Sequence, residues 1–223
     1  MAKKLRTKSI RSTDDRTIYN ILIFLICAFM LIIPFYRGLF FRINYIPAIA
    51  FVSILFAGFM VYKLRDKTYK LLDTYMDLSA LLLPAAYFIS FFFAVNAKDA
   101  LDMFLIYCSY FMMYKLTSEL SARDERYKNI FINLLIASTF ILSFASMLNI
   151  AGIVDIKGAF VGKRLFGLYQ YPNTTASVLG VGIILSLNKL ISEDNIKKAS
   201  IYQLVLTALI SSFIFTLSRG GYL

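Results

Sequence analysis

Residues 18–36, IYNILIFLICAFMLIIPFY, decide the fold of this chain because they form a long apolar run without a charged side chain. A helix rises about 1.5 Å per residue, so a run of this length crosses the ~30 Å hydrocarbon core of a bilayer. The run is too long for the core of a signal peptide, and no small-x-small cleavage site follows it. We therefore predict an uncleaved transmembrane helix, preceded by a basic cytoplasmic tail over residues 1–17.

The whole sequence has the composition of a multi-pass membrane protein. Its mean hydropathy is +0.69, with 59% hydrophobic and 17% charged residues, and a soluble fold of this size needs far more polar surface. Hydropathy and the placement of charges predict an all-α fold, a polytopic transmembrane helical bundle that forms one domain over residues 18–223. The seven predicted spans are 18–36, 45–62, 76–95, 100–117, 129–150, 172–190 and 200–218.

The basic residues predict the orientation of these spans. Seventeen of the 24 Lys and Arg residues fall on the side of the N-terminus, and seven fall on the other side. Cytoplasmic loops carry the excess of Lys and Arg, so we expect a cytoplasmic N-terminus. The seven outward basic residues are Arg37, Arg42, Lys98, Lys157, Lys163, Arg164 and Arg219.

Several kinds of chemistry have little support in this sequence. The net charge of +11 is spread between apolar runs and forms no aromatic-interleaved basic patch, so we expect no nucleic-acid partner. Cys27 and Cys108 both lie inside apolar runs and predict neither a disulfide nor a metal pair. The chain has no His, the commonest general base and metal ligand, and we expect no metal and no cofactor.

The one long outer connection, residues 151–171, carries a glycine every few residues and predicts an irregular, tightly turned loop. It holds the basic pair Lys163 and Arg164. A planar guanidinium binds phosphate oxygens through two N–H groups, a geometry that lysine lacks. The alternative for Arg164 is an interfacial arginine whose head reaches the lipid headgroups.

Arg219 lies at the outer end of the last predicted span and can reach the same membrane face as Arg164. Gly220 and Gly221 follow it, so that backbone amides can approach an anion beside it. Its alternative is a helix C-terminal charge that complements the macrodipole, with glycine as the cap. Two arginines on one face suggest an anion site.

Pro172 and Asn173 predict the start of the sixth span, where proline loses no helical hydrogen bond. Helix punctuation is the simpler interpretation. The functional one places an anion on the free amides, or has Asn173 bind a sugar or a neighbouring helix. Two further sets of residues favour structural roles. Thr139, Ser143 and Ser146 form a stripe on one face of the fifth span, which is typical of helix packing in lipid. Asp99 and Asp102 lie at the start of the fourth span, where the helix dipole favours carboxylates.

Three motifs occur in a fixed order, RLFG at 164–167, PNTTA at 172–176 and, after a further span, LSRGG at 217–221. In this order they resemble the O-antigen ligase and O-antigen polymerase superfamily of bacterial membrane glycosyltransferases. A weaker similarity lies in FAVNAKDAL at 93–101, which resembles a short outer turn of that family.

The resemblance implies an inverting, metal-independent enzyme of cell-envelope polysaccharide biosynthesis. Such an enzyme is a multi-pass protein of the cytoplasmic (inner) membrane. It moves a glycan from an undecaprenyl pyrophosphate donor to a glycan or lipid acceptor at the outer face of that membrane. Arginines matching Arg164 and Arg219 are thought to hold the pyrophosphate there. The resemblance implies supporting roles for neighbouring residues and leaves the catalytic residue unknown. These supporting residues are Lys163, Gly167, Pro172, Asn173, Ser218 and Gly220.

That family continues into a large outer loop with a histidine and further spans, so we expect this chain to be the N-terminal portion of a larger protein. Whether it is a ligase or a polymerase stays open, as do the sugar and the acceptor. A different class is part of a polysaccharide or lipid transporter or flippase, with the same arginines as substrate-gating charges. Such proteins more often place ionisable residues near mid-span and break helices with Gly or Pro there. Here the arginines lie at helix ends and the predicted span interiors lack paired charges, which favours the enzyme. A membrane anchor without catalysis is a third alternative, for which both arginines are dispensable.

Overall fold

The protein is mostly helical in a computed structural model that describes residues 13–64 and 69–222. Within these two ranges, seven long helices follow one another, with a two-stranded hairpin after the fifth and a single helical turn after the seventh. The elements are α1 (Thr13–Ile32), a 3-10 segment (Ile33–Leu39), α2 (Arg42–Lys63), α3 (Tyr75–Phe91), α4 (Ala97–Arg123), α5 (Glu125–Ile150), β1 (Phe160–Val161), β2 (Arg164–Leu165), α6 (Pro172–Ser192), α7 (Ile196–Phe215) and α8 (Arg219–Tyr222).

The all-helical, multi-pass class predicted from the sequence is confirmed. In the described part of the chain, five helical stretches are long and apolar enough to cross a membrane: Arg16–Leu39, Arg42–Lys63, Glu125–Ile150, Pro172–Ser192 and Ile196–Phe215. Helix α3 is apolar but shorter, and α4 is long but carries charges at both ends. Each predicted span contains a helix, while the predicted number of seven crossings stays a prediction. The basic tail lies mostly outside the described residues.

Helices α4 and α5 connect the two halves of the bundle. Helices α2 and α3 pack on α4, whereas α6 and α7 pack on each other and on α5, which also contacts α1. One apolar core joins α1, α2, α4 and α5, and a second joins α5, α6 and α7. The second core lies beneath the segments that hold the predicted site residues.

The small and hydroxyl residues of α5 hold the second half together, as the packing stripe predicts. Thr139, Ser143 and Ser146 are all buried, and the Ser143 hydroxyl lies 2.7 Å from the hydroxyl of Ser212 on α7. It also donates to a main-chain carbonyl of α7 at 2.8 Å. A Cβ at Gly182 of α6 would overlap the Thr139 side chain, so glycine permits this close approach.

Charged residues near the ends of two predicted spans are paired inside the protein. Lys115 of α4 donates to Asp77 of α3 at 2.9 Å, and both side chains are only 3% exposed. Glu119, one turn beyond Lys115, accepts from Lys63 of α2 at 2.9 Å. These pairs let α4 extend to Arg123, six residues beyond the predicted end of its span, because the polar side chains in its last turns are satisfied inside the protein.

Asp102 also makes contacts that the sequence does not predict. It lies in the second turn of α4 and forms an ion pair with Arg42 of α2, with Nε to Oδ2 at 3.0 Å and Nη2 to Oδ1 at 3.3 Å. The Tyr45 hydroxyl donates to the same carboxylate at 2.9 Å. Only Asp99, bonded to the Asn96 cap, has the helix-start role expected of both. Asp102 therefore ties the start of α4 to the start of α2.

Candidate functional site

The loop between α5 and α6 consists mostly of turns, as its glycines predict, and it contains one short hairpin. Strands β1 and β2 pair Val161 with Arg164, which leaves Gly162 and Lys163 as a two-residue turn. Gly162 has φ of 62°, as glycine at the first position of such a turn permits. Successive side chains of a strand point to opposite faces. Leu165 is fully buried and anchors the hairpin, whereas Arg164, on the other face, is half-buried.

The end of this loop is fixed on the first turn of α6. The Thr175 hydroxyl donates to the Phe166 carbonyl at 2.5 Å, and the Gly167 amide donates to the Ala159 carbonyl at 2.9 Å. Gly167 has φ of 63°, and a Cβ there would lie 3.0 Å from Cγ2 of Thr175. Helix α6 then begins at Pro172, as predicted, with no side chain capping its N-terminus. Gly167 and Pro172 are both buried and set the path of the chain into α6.

The guanidinium of Arg164 crosses to the end of α7. Its Nε donates to the Thr216 carbonyl and its Nη2 to the Leu217 carbonyl, each at 3.3 Å. These carbonyls follow the last helical residue of α7, where the partial charge of the helix end is negative. Arg164 therefore makes the helix-end contact that was the structural alternative for Arg219. Its Nη1 group is not used in these two contacts.

Leu217 turns the chain sharply between α7 and α8. Its φ of 47° lies in the left-handed region, which a branched side chain seldom adopts. The following residue, Ser218, is fully buried, and its amide donates to the Thr216 hydroxyl at 3.3 Å. This turn directs Arg219 and Gly220 toward the hairpin, and both are exposed.

Arg164 and Arg219 line one open cleft of about 630 Å³, together with Asn173, Leu217 and Gly220. The cleft thus receives residues from the hairpin, from the first turn of α6 and from the α7–α8 turn. Among the described residues, none that lines it carries a carboxylate. Two cations, with no carboxylate among the described residues that line the cleft, make it suited to an anion.

The remaining predicted site residues lie around the cleft. Lys163 is exposed in the hairpin turn and does not line it. Ser218 lies behind Asn173, and its hydroxyl donates to the Asn173 Oδ1 at 2.9 Å. The carbonyls of Thr216 and Leu217, which hold Arg164, had no signal in the sequence because a backbone contact depends on the turn conformation.

The same loop also contacts the first half of the bundle. The ring of Tyr169 lies against Gly38, in the 3-10 segment between α1 and α2, and a Cβ there would overlap the ring. Gly38 has φ of 64°, so glycine serves both the backbone conformation and the contact. Burial raises the pKa of the Tyr169 hydroxyl and keeps it neutral.

Within the described ranges, no group of three or more Cys, Asp or Glu residues is arranged to hold a metal ion. Comparisons with family models, curated proteins and solved structures found no match to this chain.

Proposed function

We propose that the cleft binds the pyrophosphate of a lipid-linked glycan donor, and that the chain belongs to a membrane glycosyltransferase similar to O-antigen ligases and polymerases. The observation that carries this proposal is that Arg164 and Arg219, from segments far apart in the sequence, line one cleft, and that no described residue lining it carries a carboxylate. The cleft lies at the ends of α6 and α7, which are both apolar enough to cross a membrane. A lipid-anchored anion would meet its binding groups at that level of the bilayer.

The chemistry of transfer fits this arrangement. When the glycan leaves its carrier, negative charge increases on the departing pyrophosphate. Two guanidinium groups held beside it stabilise that charge more in the transition state than in the ground state. The backbone contacts of Arg164 hold its guanidinium in place before the donor arrives.

The proposal includes the topology expected from the sequence. Seven crossings with a cytoplasmic N-terminus bring the hairpin and the α7–α8 turn to the outer face of the cytoplasmic membrane. There an undecaprenyl pyrophosphate donor and a glycan or lipid acceptor would meet. The sequence resemblance and the distribution of Lys and Arg support this part of the proposal.

A transporter or flippase is the second candidate, and one observation favours it. Lys115, Asp77 and Glu119 form an ionic cluster inside the bundle, and ionisable groups buried in a helical bundle of this class commonly mark substrate or ion pathways. In a transporter of this type, replacing Lys115 would abolish export and leave glycan transfer unchanged.

The test measures transfer from a lipid-pyrophosphate-linked glycan in vesicles, together with binding of inorganic pyrophosphate to the purified chain in nanodiscs. Arg219→Ala is expected to weaken binding about ten- to a hundredfold, because a charged hydrogen bond contributes about 1.5–3 kcal/mol. Lys157→Ala is the control, since it removes an exposed cation of the loop between α5 and α6 that does not line the cleft. Equal binding and transfer by both variants would contradict the proposal.

A further inference from the structure

The amide of Asn173 is held in one orientation by a buried serine. Asn173 lies in the first turn of α6, is exposed and lines the cleft. Ser218, directly behind it, is fully buried, and its hydroxyl lies 2.9 Å from the Asn173 Oδ1. The side chain of Asn173 is therefore bonded on its protein side and open on its cleft side.

The contacts of Ser218 determine which atom of the amide faces the cleft. The Gly221 amide donates to the Ser218 hydroxyl oxygen at 3.2 Å, which leaves the hydroxyl proton to be given to another acceptor. The Asn173 Oδ1 is that acceptor. Rotating the amide by half a turn would place an N–H group opposite the buried hydroxyl proton, so that a donor would face a donor.

The Nδ2 group of Asn173 is consequently the part that faces the cleft. In the described part of the chain it has no hydrogen-bond partner of its own. An amide with its oxygen already engaged can only donate toward a ligand. Its neighbours in the cleft, Arg164 and Arg219, are also donors without acceptors.

We propose that Ser218 positions Asn173 as a fixed hydrogen-bond donor, so that the cleft selects ligand oxygens that only accept, such as those of a phosphate group. The inference rests on the anion site proposed above. It adds a third, uncharged donor to that site and assigns Ser218 an indirect role, since Ser218 does not itself line the cleft. A ligand that presents a hydroxyl proton to Nδ2 would meet a donor and lose this contact.

Isosteric replacement of Asn173 tests the donor. Asn173→Asp keeps the acceptor for Ser218 and exchanges Nδ2 for a charged oxygen that repels an anion. Its affinity for inorganic pyrophosphate, measured by titration calorimetry on the full chain in nanodiscs, is expected to fall about a hundredfold or more. Asn173→Ala, which removes the donor without adding charge, is expected to fall about tenfold or more.

Ser218→Ala tests the positioning role. Without the Ser218 hydroxyl, the Asn173 amide can rotate, and Nδ2 faces the cleft for only part of the time. The affinity for pyrophosphate falls in proportion to the time that Nδ2 faces away, by about two- to tenfold. The thermal midpoint is expected to stay close to that of the unaltered protein, because the Gly221 amide keeps its contact with the Ser218 carbonyl at 3.0 Å.

A double-mutant cycle separates positioning from a general structural effect. In the Asn173→Ala background, Ser218→Ala is expected to cause no further loss of pyrophosphate affinity, because it acts only through Asn173. An equal loss in both backgrounds would overturn the inference, and so would normal binding by Asn173→Asp. Failure of the unaltered protein to bind pyrophosphate would overturn the proposed function, and the inference with it.

Discussion

Arg164 has both a structural contact and a place in the proposed ligand site. Its guanidinium holds the carbonyls of Thr216 and Leu217 and also lines the cleft. The planar group makes these two tasks compatible, because its N–H groups point in different directions within one plane. A lysine would place one ammonium group at the same end of α7 and could not extend across both sites.

The first prediction at this scale is that Arg164→Lys weakens pyrophosphate binding nearly as much as Arg164→Ala. Lysine keeps the charge but loses the two-pronged contact, so we expect a fall of about ten- to a hundredfold in affinity and in glycan transfer. Membrane insertion should not change, and Lys157→Ala at matched protein levels is the control. Affinity close to normal in the lysine variant would reduce Arg164 to a surface charge.

Gly167 gives a second residue-scale prediction, this time on stability. Its φ is 63°, and an added Cβ would lie 3.0 Å from the Thr175 side chain, so Gly167→Ala is strained in both backbone and packing. We expect a loss of about 1–2 kcal/mol, seen as a lower thermal midpoint in detergent.

Gly180→Ala is the matched control for Gly167→Ala. Gly180 lies inside α6 with open space around its Cβ position, and alanine is favoured over glycine in a helix by about 0.5–1 kcal/mol. We expect its thermal midpoint to stay level or rise. Equal destabilisation by the two changes would show that the loop conformation is not what Gly167 provides.

The sequence predicted individual site residues better than it predicted their contacts. Arg164, Asn173 and Arg219 stood out because cations and a helix start next to apolar runs are uncommon, and the structure places all three around one cleft. That Arg164 rather than Arg219 would hold the end of α7 could not be predicted. It follows from the left-handed turn at Leu217, and no local sequence rule anticipates a branched residue there.

At the scale of helices, the stripe on α5 was predictable and the length of α4 was not. Thr139, Ser143 and Ser146 recur at helical spacing, so their common burial follows from periodicity alone. The extension of α4 depends on Asp77 and Lys63, which come from other helices. A hydropathy window covers one segment of the chain and contains no information about partners on other helices. It therefore ends the span near Lys115 and Glu119.

The buried pair between α3 and α4 gives the element-scale prediction. Lys115→Met leaves the Asp77 carboxylate buried without its cation, which costs about 3–5 kcal/mol. The expected result is a large fall in the thermal midpoint and easier proteolysis between α3 and α4. Lys198→Ala is the control. The Lys198 side chain is 63% exposed, its Nζ lies 3.9 Å from Oε1 of Glu193, and exposed ion pairs contribute little to stability.

Two outcomes would change the account of this pair. Unchanged stability of Lys115→Met would mean that Asp77 is satisfied by the amides of Asp73 and Thr74, to which it also bonds. Loss of glycan export with normal stability and normal transfer would favour the transporter.

For the whole molecule, the orientation in the membrane is the main expectation still to be measured. Single cysteines at positions 157 and 194, in a protein with Cys27 and Cys108 replaced, lie in exposed loops at opposite ends of α6. We expect a membrane-impermeant maleimide to label position 157 in intact cells and position 194 only after permeabilisation. The reverse pattern would place the cleft in the cytoplasm and contradict the proposed donor site.

The contact between Gly38 and Tyr169 limits which part of this protein can be transferred to another scaffold. The 3-10 segment that joins α1 to α2 bears on the loop that carries Arg164, and it does so through a glycine with no room for a side chain. The segment that joins the first two helices thus supports the loop that carries Arg164. A chimera that transplants only the hairpin, α6 and α7 onto another membrane scaffold would leave one side of that loop unsupported. The smallest portable unit includes the turn at Gly38.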